Sequence, residues 1–161
     1  AVALETRTPR VLVIRPGGLG DAFMSLAFLR ALKRLFPGAR VIVLCVRKNA
    51  AVFQLANIQD ELIVLDDPAQ LRHSVRSLTR THFDILFDLE PFRRTSSIVA
   101  WLSGAAIRVG FDTNSRRHLY TNLVSYSGDS RFEADNMLSQ LRAIGVTPAA
   151  VDAGDLKCGL A

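Results

Sequence analysis

Short apolar runs alternate along this chain with longer segments in which apolar positions recur every three or four residues. The runs at Val11–Arg15, Val41–Val46, Glu61–Leu65, Asp84–Leu89 and Ile107–Gly110 read as β-strands, with Leu123–Tyr126 as a shorter sixth. Val41–Val46 is apolar without interruption, which fits burial on both faces. A first helix is predicted from Asp21 to Phe36. Its stripe of Phe28, Ala31, Leu32 and Leu35 should lie on the sheet, and Pro37-Gly38 should stop it. A short helix around Asn49–Ala56 follows. Another starts at Asp66-Asp67-Pro68, with a carboxylate cap and a proline at its first position, and turns Leu71, Val75 and Leu78 inward. A helix from Arg93 to Ser103 carries Ile98, Trp101 and Leu102 and ends at Gly104. Trp101 and Phe111 read as core aromatics. The last helix opens on Ser130 with Glu133 three residues later, a capping box, and buries Ala134, Met137, Leu138, Leu141 and Ile144.

Regular alternation of strand and helix predicts the α/β class: a parallel sheet, helices on both faces, right-handed crossovers. Residues 1–9 read as a leader, 10–146 as the domain and 147–161 as a linker or tail.

Composition narrows the classes of function. The chain has 161 residues, 49% hydrophobic and 22% charged, which suits one domain with its own core. No apolar run approaches the ~18 residues of a membrane span. Cys45 and Cys158 have no framework spacing and are expected to be free thiols in a reducing compartment. The spacing of His73, His82 and His118 gives no reason to expect a metal. The net charge of +5 favours anionic partners such as phosphates, phosphorylated glycans, acidic membrane surfaces or nucleic acid, or simply solubility.

The chemistry concentrates at Arg15-Pro16-Gly17-Gly18-Leu19-Gly20-Asp21, where the first strand turns into the first helix. In open parallel sheets, ligands bind beyond the carboxyl ends of the strands, where such turns lie. Three glycines permit positive φ and a close approach of backbone or ligand. The turn is not a phosphate-cradling loop of the Gly-Lys-Ser/Thr kind, and Gly17, Gly18 and Gly20 do not have the dinucleotide spacing. Arg47-Lys48 at the end of the second strand replaces the acid that an NAD enzyme would use, which leaves room for an NADP-binding oxidoreductase domain. Asp21 would repel a phosphate at the helix mouth. It is either the helix N-cap or a general base for a bound hydroxyl, and the two roles are compatible.

Val11–Asp21 followed by Leu29–Ala39 resembles the ADP-heptose:lipopolysaccharide heptosyltransferases, glycosyltransferase family 9. So, in order, do Phe83–Leu89, Leu102–Ala105, Arg108–Asp112, Arg116–Thr121 and Leu141–Gly145. The resemblance implies the N-terminal, Rossmann-like half of a GT-B enzyme, which holds the acceptor, with the tail leading toward a C-terminal donor domain. It implies inverting transfer without a metal or bound cofactor, from a sugar nucleotide, ADP-heptose, to the lipopolysaccharide inner core on lipid A. The setting it implies is cytoplasmic, with peripheral contact at the inner membrane and no nucleic acid. Asp21 maps onto the family's proposed catalytic base, and Arg116 and Arg117 match a family segment that either holds inner-core phosphates or is a solvated loop. By their place, Gly17, Gly18 and Gly20 in the turn and Arg47 and Lys48 at a strand's carboxyl end are candidates for the acceptor side. The 161-residue half alone should bind acceptor and transfer nothing. The family often carries His where Phe132 stands and Gln where Glu90 stands, which would fit a different acceptor or a domain without catalysis. A stand-alone module binding a phosphoglycan or nucleotide is the other reading.

Overall fold

Val11 and Val13 face one side of the sheet and Leu12 and Ile14 the other, and all four are buried. This strand, β1 (Arg10–Ile14), lies inside a six-stranded sheet whose register is parallel throughout. The computed structural model describes residues 8–65, 76–128 and 133–147. The predicted helix start at Asp66-Asp67-Pro68, with Leu71 and Val75, lies outside them, as do the predicted cap Ser130, Phe132 and Cys158.

The remaining strands are β2 (Arg40–Val46), β3 (Glu61–Leu65), β4 (Ile85–Asp88), β5 (Ile107–Phe111) and β6 (Asn122–Val124). Their order in the sheet is β3-β2-β1-β4-β5-β6. This is the doubly wound Rossmann order, and the chain reverses direction across the sheet between β1 and β4. The crevice beyond the carboxyl ends of those two strands is therefore where a ligand is expected.

Two apolar layers hold the helices on. On one face α1 (Leu19–Leu35), α2 (Arg47–Ala56) and α4 (Glu133–Arg142) pack Phe28, Leu32, Phe53, Met137 and Leu141 against Val11, Val43 and Phe87. On the other, Leu78 from helical residues 76–80 and Val99 and Ala100 from α3 (Arg94–Leu102) cover Leu12, Leu44 and Leu86. Phe28 meets Phe87 edge-on at 5.1 Å, a favoured aromatic geometry. Gly104 and Gly145 follow α3 and α4 at φ +67° and +91°, a left-handed conformation in which glycine avoids a Cβ clash. Trp101 departs from its expected place in the core: it is 55% exposed, on an outer face of α3 with Ile98 and Leu102. Phe111 is fully buried, as expected.

Candidate functional site at the β1–β4 crevice

Gly18 caps α1, so the helix starts two residues before the predicted start and Asp21 is its third residue rather than its N-cap. The carboxylate folds back over the turn, and its Oδ2 accepts the Gly18 amide at 2.7 Å. Gly17 is glycine because of that fold: a Cβ there would stand 2.3 Å from Asp21 Oδ2. Gly18 would meet the same oxygen only at 3.6 Å, and Gly20 would meet nothing. None of the three has positive φ, contrary to the sequence reading. What the turn requires is room for Asp21, not a left-handed backbone.

The residue that sequence reasoning missed is Arg15. It follows β1 directly and is 2% exposed. Its Nη1 donates to the Leu89 carbonyl at 2.5 Å, across the crevice, at the end of β4. Its Nη2 meets Asp21 Oδ1 at 2.9 Å, and its Nε donates to the Asp21 carbonyl at 3.4 Å. The Arg15 carbonyl accepts from Asn49 Nδ2 at 2.9 Å, while Asn49 Oδ1 takes the Val46 amide at 3.1 Å. One guanidinium thus ties together β1, β4 and the first turn of α1, and one amide adds the β2–α2 turn. The signal was in the sequence: a cation at the end of an otherwise apolar strand, at the switch point.

From α4, Glu133 brings a second carboxylate, its Oε1 4.0 Å from Arg15 Nη2. Its Oε2 accepts from the Tyr126 hydroxyl at 2.9 Å and from Asn136 Nδ2 at 3.4 Å. Burial and the Glu133 carboxylate push the Tyr126 phenol above its ordinary range. The Tyr126 ring packs edge-on against Phe92 and Phe111 at 5.1 and 5.3 Å.

A second buried network lies beside this one. Asp88, at the end of β4, is fully buried. Its Oδ2 accepts from the Tyr120 hydroxyl at 2.6 Å and lies 3.7 Å from Arg116 Nη1, and its Oδ1 takes the Glu90 amide at 3.1 Å. Burial pushes its carboxyl up to about 6, against the pull of Tyr120, Ser96, the Glu90 amide and Arg116. Burial, and then Asp88, also push the Tyr120 phenol up. A Cβ on Gly110 would stand 2.3 Å from the Tyr120 ring, so glycine there admits the ring that reaches Asp88.

Arg116, expected on the acceptor side, is 1% exposed. Its Nη1 donates to the carbonyls of Glu90 and Arg93, its Nη2 to the Pro91 carbonyl and Thr113 Oγ1, and its Nε to the Thr113 carbonyl. All five donors of a guanidinium are committed, so Arg116 holds the loop after β4 and offers nothing to a phosphate. Arg117, next in sequence, is 59% exposed and pairs with Asp112 at 3.5 Å. Arg47 and Lys48 are exposed at the start of α2, directly beyond the carboxyl end of β2. Glu90 Oε1 accepts the Phe92 and Arg93 amides at 3.0 and 3.3 Å. A glutamine oxygen accepts the same two bonds, so this departure from the family pattern leaves the loop intact.

Asp21 keeps 45% of its side chain in solvent. Of the roughly four acceptor positions on a carboxylate, Gly18 and Arg15 take two. With that side chain half-exposed just beyond the carboxyl end of β1, the others are open to a donor from outside. Since Oδ2 already holds the Gly18 amide, that amide is not free for a dinucleotide phosphate. Clefts lined by Arg10, Arg40, Glu61, Thr81 and Phe83 lie at the amino ends of the strands, away from this crevice. Among the described residues, no group of three or more His, Cys, Asp or Glu is placed to hold a metal ion, and no helix is long and apolar enough to cross a membrane.

No protein-family profile matches the chain, and no curated protein does. Solved structures do. A glycosyl transferase family 9 protein from Veillonella parvula superposes with a TM-score of 0.78 at 26% identity, over 87% of this chain and 42% of its own. The chain resembles glycosyltransferase family 9. Two proteins of that resemblance are the E. coli ADP-heptose LPS heptosyltransferase II (TM-score 0.74, 21% identity, 94% of this chain and 45% of that one) and the E. coli heptosyltransferase WaaC with ADP (0.66, 14%, 86% and 48%). At those identities the two heptosyltransferases bear on the fold alone. The chain thus has a glycosyltransferase-like fold and spans less than half the length of each of these proteins.

Proposed function

We infer that this chain is the acceptor-binding, N-terminal lobe of an inverting glycosyltransferase that moves heptose from ADP-heptose to the lipopolysaccharide inner core. The observation that carries the reading is Asp21: a half-exposed carboxylate, fixed by Arg15 and the Gly18 amide, at the switch-point crevice. The likeness to a family 9 structure supports a sugar transfer, and the sequence resemblance of Val11–Asp21 and the later segments to the heptosyltransferases suggests the sugar and acceptor.

In this reading an acceptor hydroxyl donates to Asp21. As its oxygen attacks the anomeric carbon, the bond from that carbon to the diphosphate oxygen breaks, ADP leaves and the hydroxyl proton passes to Asp21. A carboxylate held within hydrogen-bond reach is a competent base for that step. Cations on a second, donor-binding lobe would meet the charge that develops on the diphosphate. Arg47, Lys48 and Arg117, exposed at the carboxyl ends of β2 and near that of β5, would attract acceptor phosphates. The test is transfer by the full-length protein that carries this chain: ADP released from ADP-heptose only when a heptose-deficient inner-core acceptor is present. No acceptor-dependent release would refute the assignment of donor and acceptor. A stand-alone glycan- or nucleotide-binding module would instead bind its ligand with this chain alone and turn nothing over.

A further inference from the structure

Arg15 is a buried cation whose nearest counter-charge among the described residues is Asp21, the group assigned above as the base. If Asp21 takes up a proton, that counter-charge disappears. A guanidinium that is 2% exposed would then lose its close partner, and weakening the pairing of a buried charge is unfavourable. On its own, the Arg15–Asp21 pair would resist the very proton transfer that catalysis needs.

The geometry supplies a second carboxylate at the same nitrogen. Glu133 Oε1 stands 4.0 Å from Arg15 Nη2, the atom that Asp21 Oδ1 holds at 2.9 Å. Glu133 is set for that position. Its other oxygen takes bonds from Tyr126 and Asn136. Asn136 is in turn fixed to both the amide and the carbonyl of Ser127, at 3.1 and 3.0 Å. The side chain is three-quarters buried, and its 4.0 Å to the guanidinium makes a long ion pair with room to close.

We propose that Glu133 is a standby counter-ion, a positioning residue that takes over Arg15 when Asp21 is neutral. The inference rests on the reading of Asp21 as the base. It asks for one small movement: Arg15 Nη2 closes on Glu133 Oε1 to the ~2.8 Å of a charge-assisted bond. Tyr126 and Asn136 keep hold of the other oxygen meanwhile.

Asp21→Asn mimics the neutral state of the base and still offers Gly18 an acceptor oxygen. The test is a double-mutant cycle on thermal unfolding of this chain, with Asp21→Asn, Glu133→Gln and the double variant. Each single variant should fold with a small loss in Tm. The double variant should lose at least about twice the sum, because Arg15 then has no carboxylate at all. A double variant that fails to fold while both singles fold counts as the same result. Additive losses, or an Asp21→Asn variant that cannot fold although Glu133 is intact, would overturn the proposal. A crystal structure of Asp21→Asn gives a second reading that a merely structural Glu133 would not move: the Arg15–Glu133 gap should close to about 3 Å. An unchanged gap would overturn the proposal too. Neither measurement involves turnover, so the assignment of Asp21 as base stands or falls separately.

Discussion

A Cβ on Gly17 would stand 2.7 Å from the Cβ of Asp21 and closer still to its Oδ2. The glycine and the aspartate are one device, since the missing side chain of the first is the space into which the second folds. Gly17→Ala must push Asp21 off the Gly18 amide or displace the turn. Overpacking of this kind costs about 1–3 kcal/mol. Gly20 is helical with open space around it, so Gly20→Ala should instead gain up to about 1 kcal/mol from helix propensity. Urea denaturation of both variants checks the contrast. A Gly17→Ala protein as stable as the parent would mean that Asp21 does not occupy the position described.

That relationship marks where sequence reading succeeds and where it stops. The strand–helix alternation and the inward stripe on α1 were legible because burial imposes a period on the chain: Phe28, Ala31 and Leu32 are all fully buried. The glycine turn and its aspartate were legible as a unit. Their internal geometry was not, because whether an aspartate caps as the residue before the helix or reaches back from its third position depends on a start differing by two residues.

Arg15 and Arg116 show a different gap. Arg15 read as the end of a strand and Arg116 as an acceptor contact, and both prove to be buried, held by nearby carbonyls and carboxylates. Besides Asp21 and Thr113, which lie close in sequence, the acceptors come from Leu89, Glu90, Pro91 and Arg93, which only the fold brings near. Trp101 errs in the opposite sense, because apolar character alone does not decide which face of α3 meets the sheet.

The burial of Arg116 and the exposure of Arg117 give a sharp prediction for adjacent arginines. Arg116→Met removes the cation beside buried Asp88 and strips donors from a tightly held loop. It should cost about 3 kcal/mol or more. Arg117→Ala loses one exposed ion pair and should change stability by no more than about 0.5 kcal/mol. Chemical denaturation of the two variants measures both. Equal effects would contradict the burial of Arg116.

Asp88 ties stability to pH. Its carboxyl is raised from 3.8 to about 6, so between those values the folded protein holds a proton that the unfolded chain has released. Stability from this group is therefore highest below about pH 4 and falls as pH rises toward 6 and beyond, by an amount of order 2–3 kcal/mol at most. Asp88→Asn abolishes that dependence. Unfolding free energies of parent and variant at pH 4.5 and 7 should show the parent losing ground to the variant as pH rises. A constant difference between the two would mean that Asp88 does not titrate in this window.

The central claim is that Asp21 receives the acceptor's proton, and turnover by Asp21→Asn in the full-length protein tests it most directly. Asparagine keeps the shape and can still accept from the Gly18 amide, so the fold should survive, as circular dichroism would record. Acceptor-dependent release of ADP should fall at least ~100-fold in kcat, as loss of a general base predicts. Turnover at the parent's rate would contradict the account and leave Asp21 a helix-start residue that holds Gly18 and Arg15 in place.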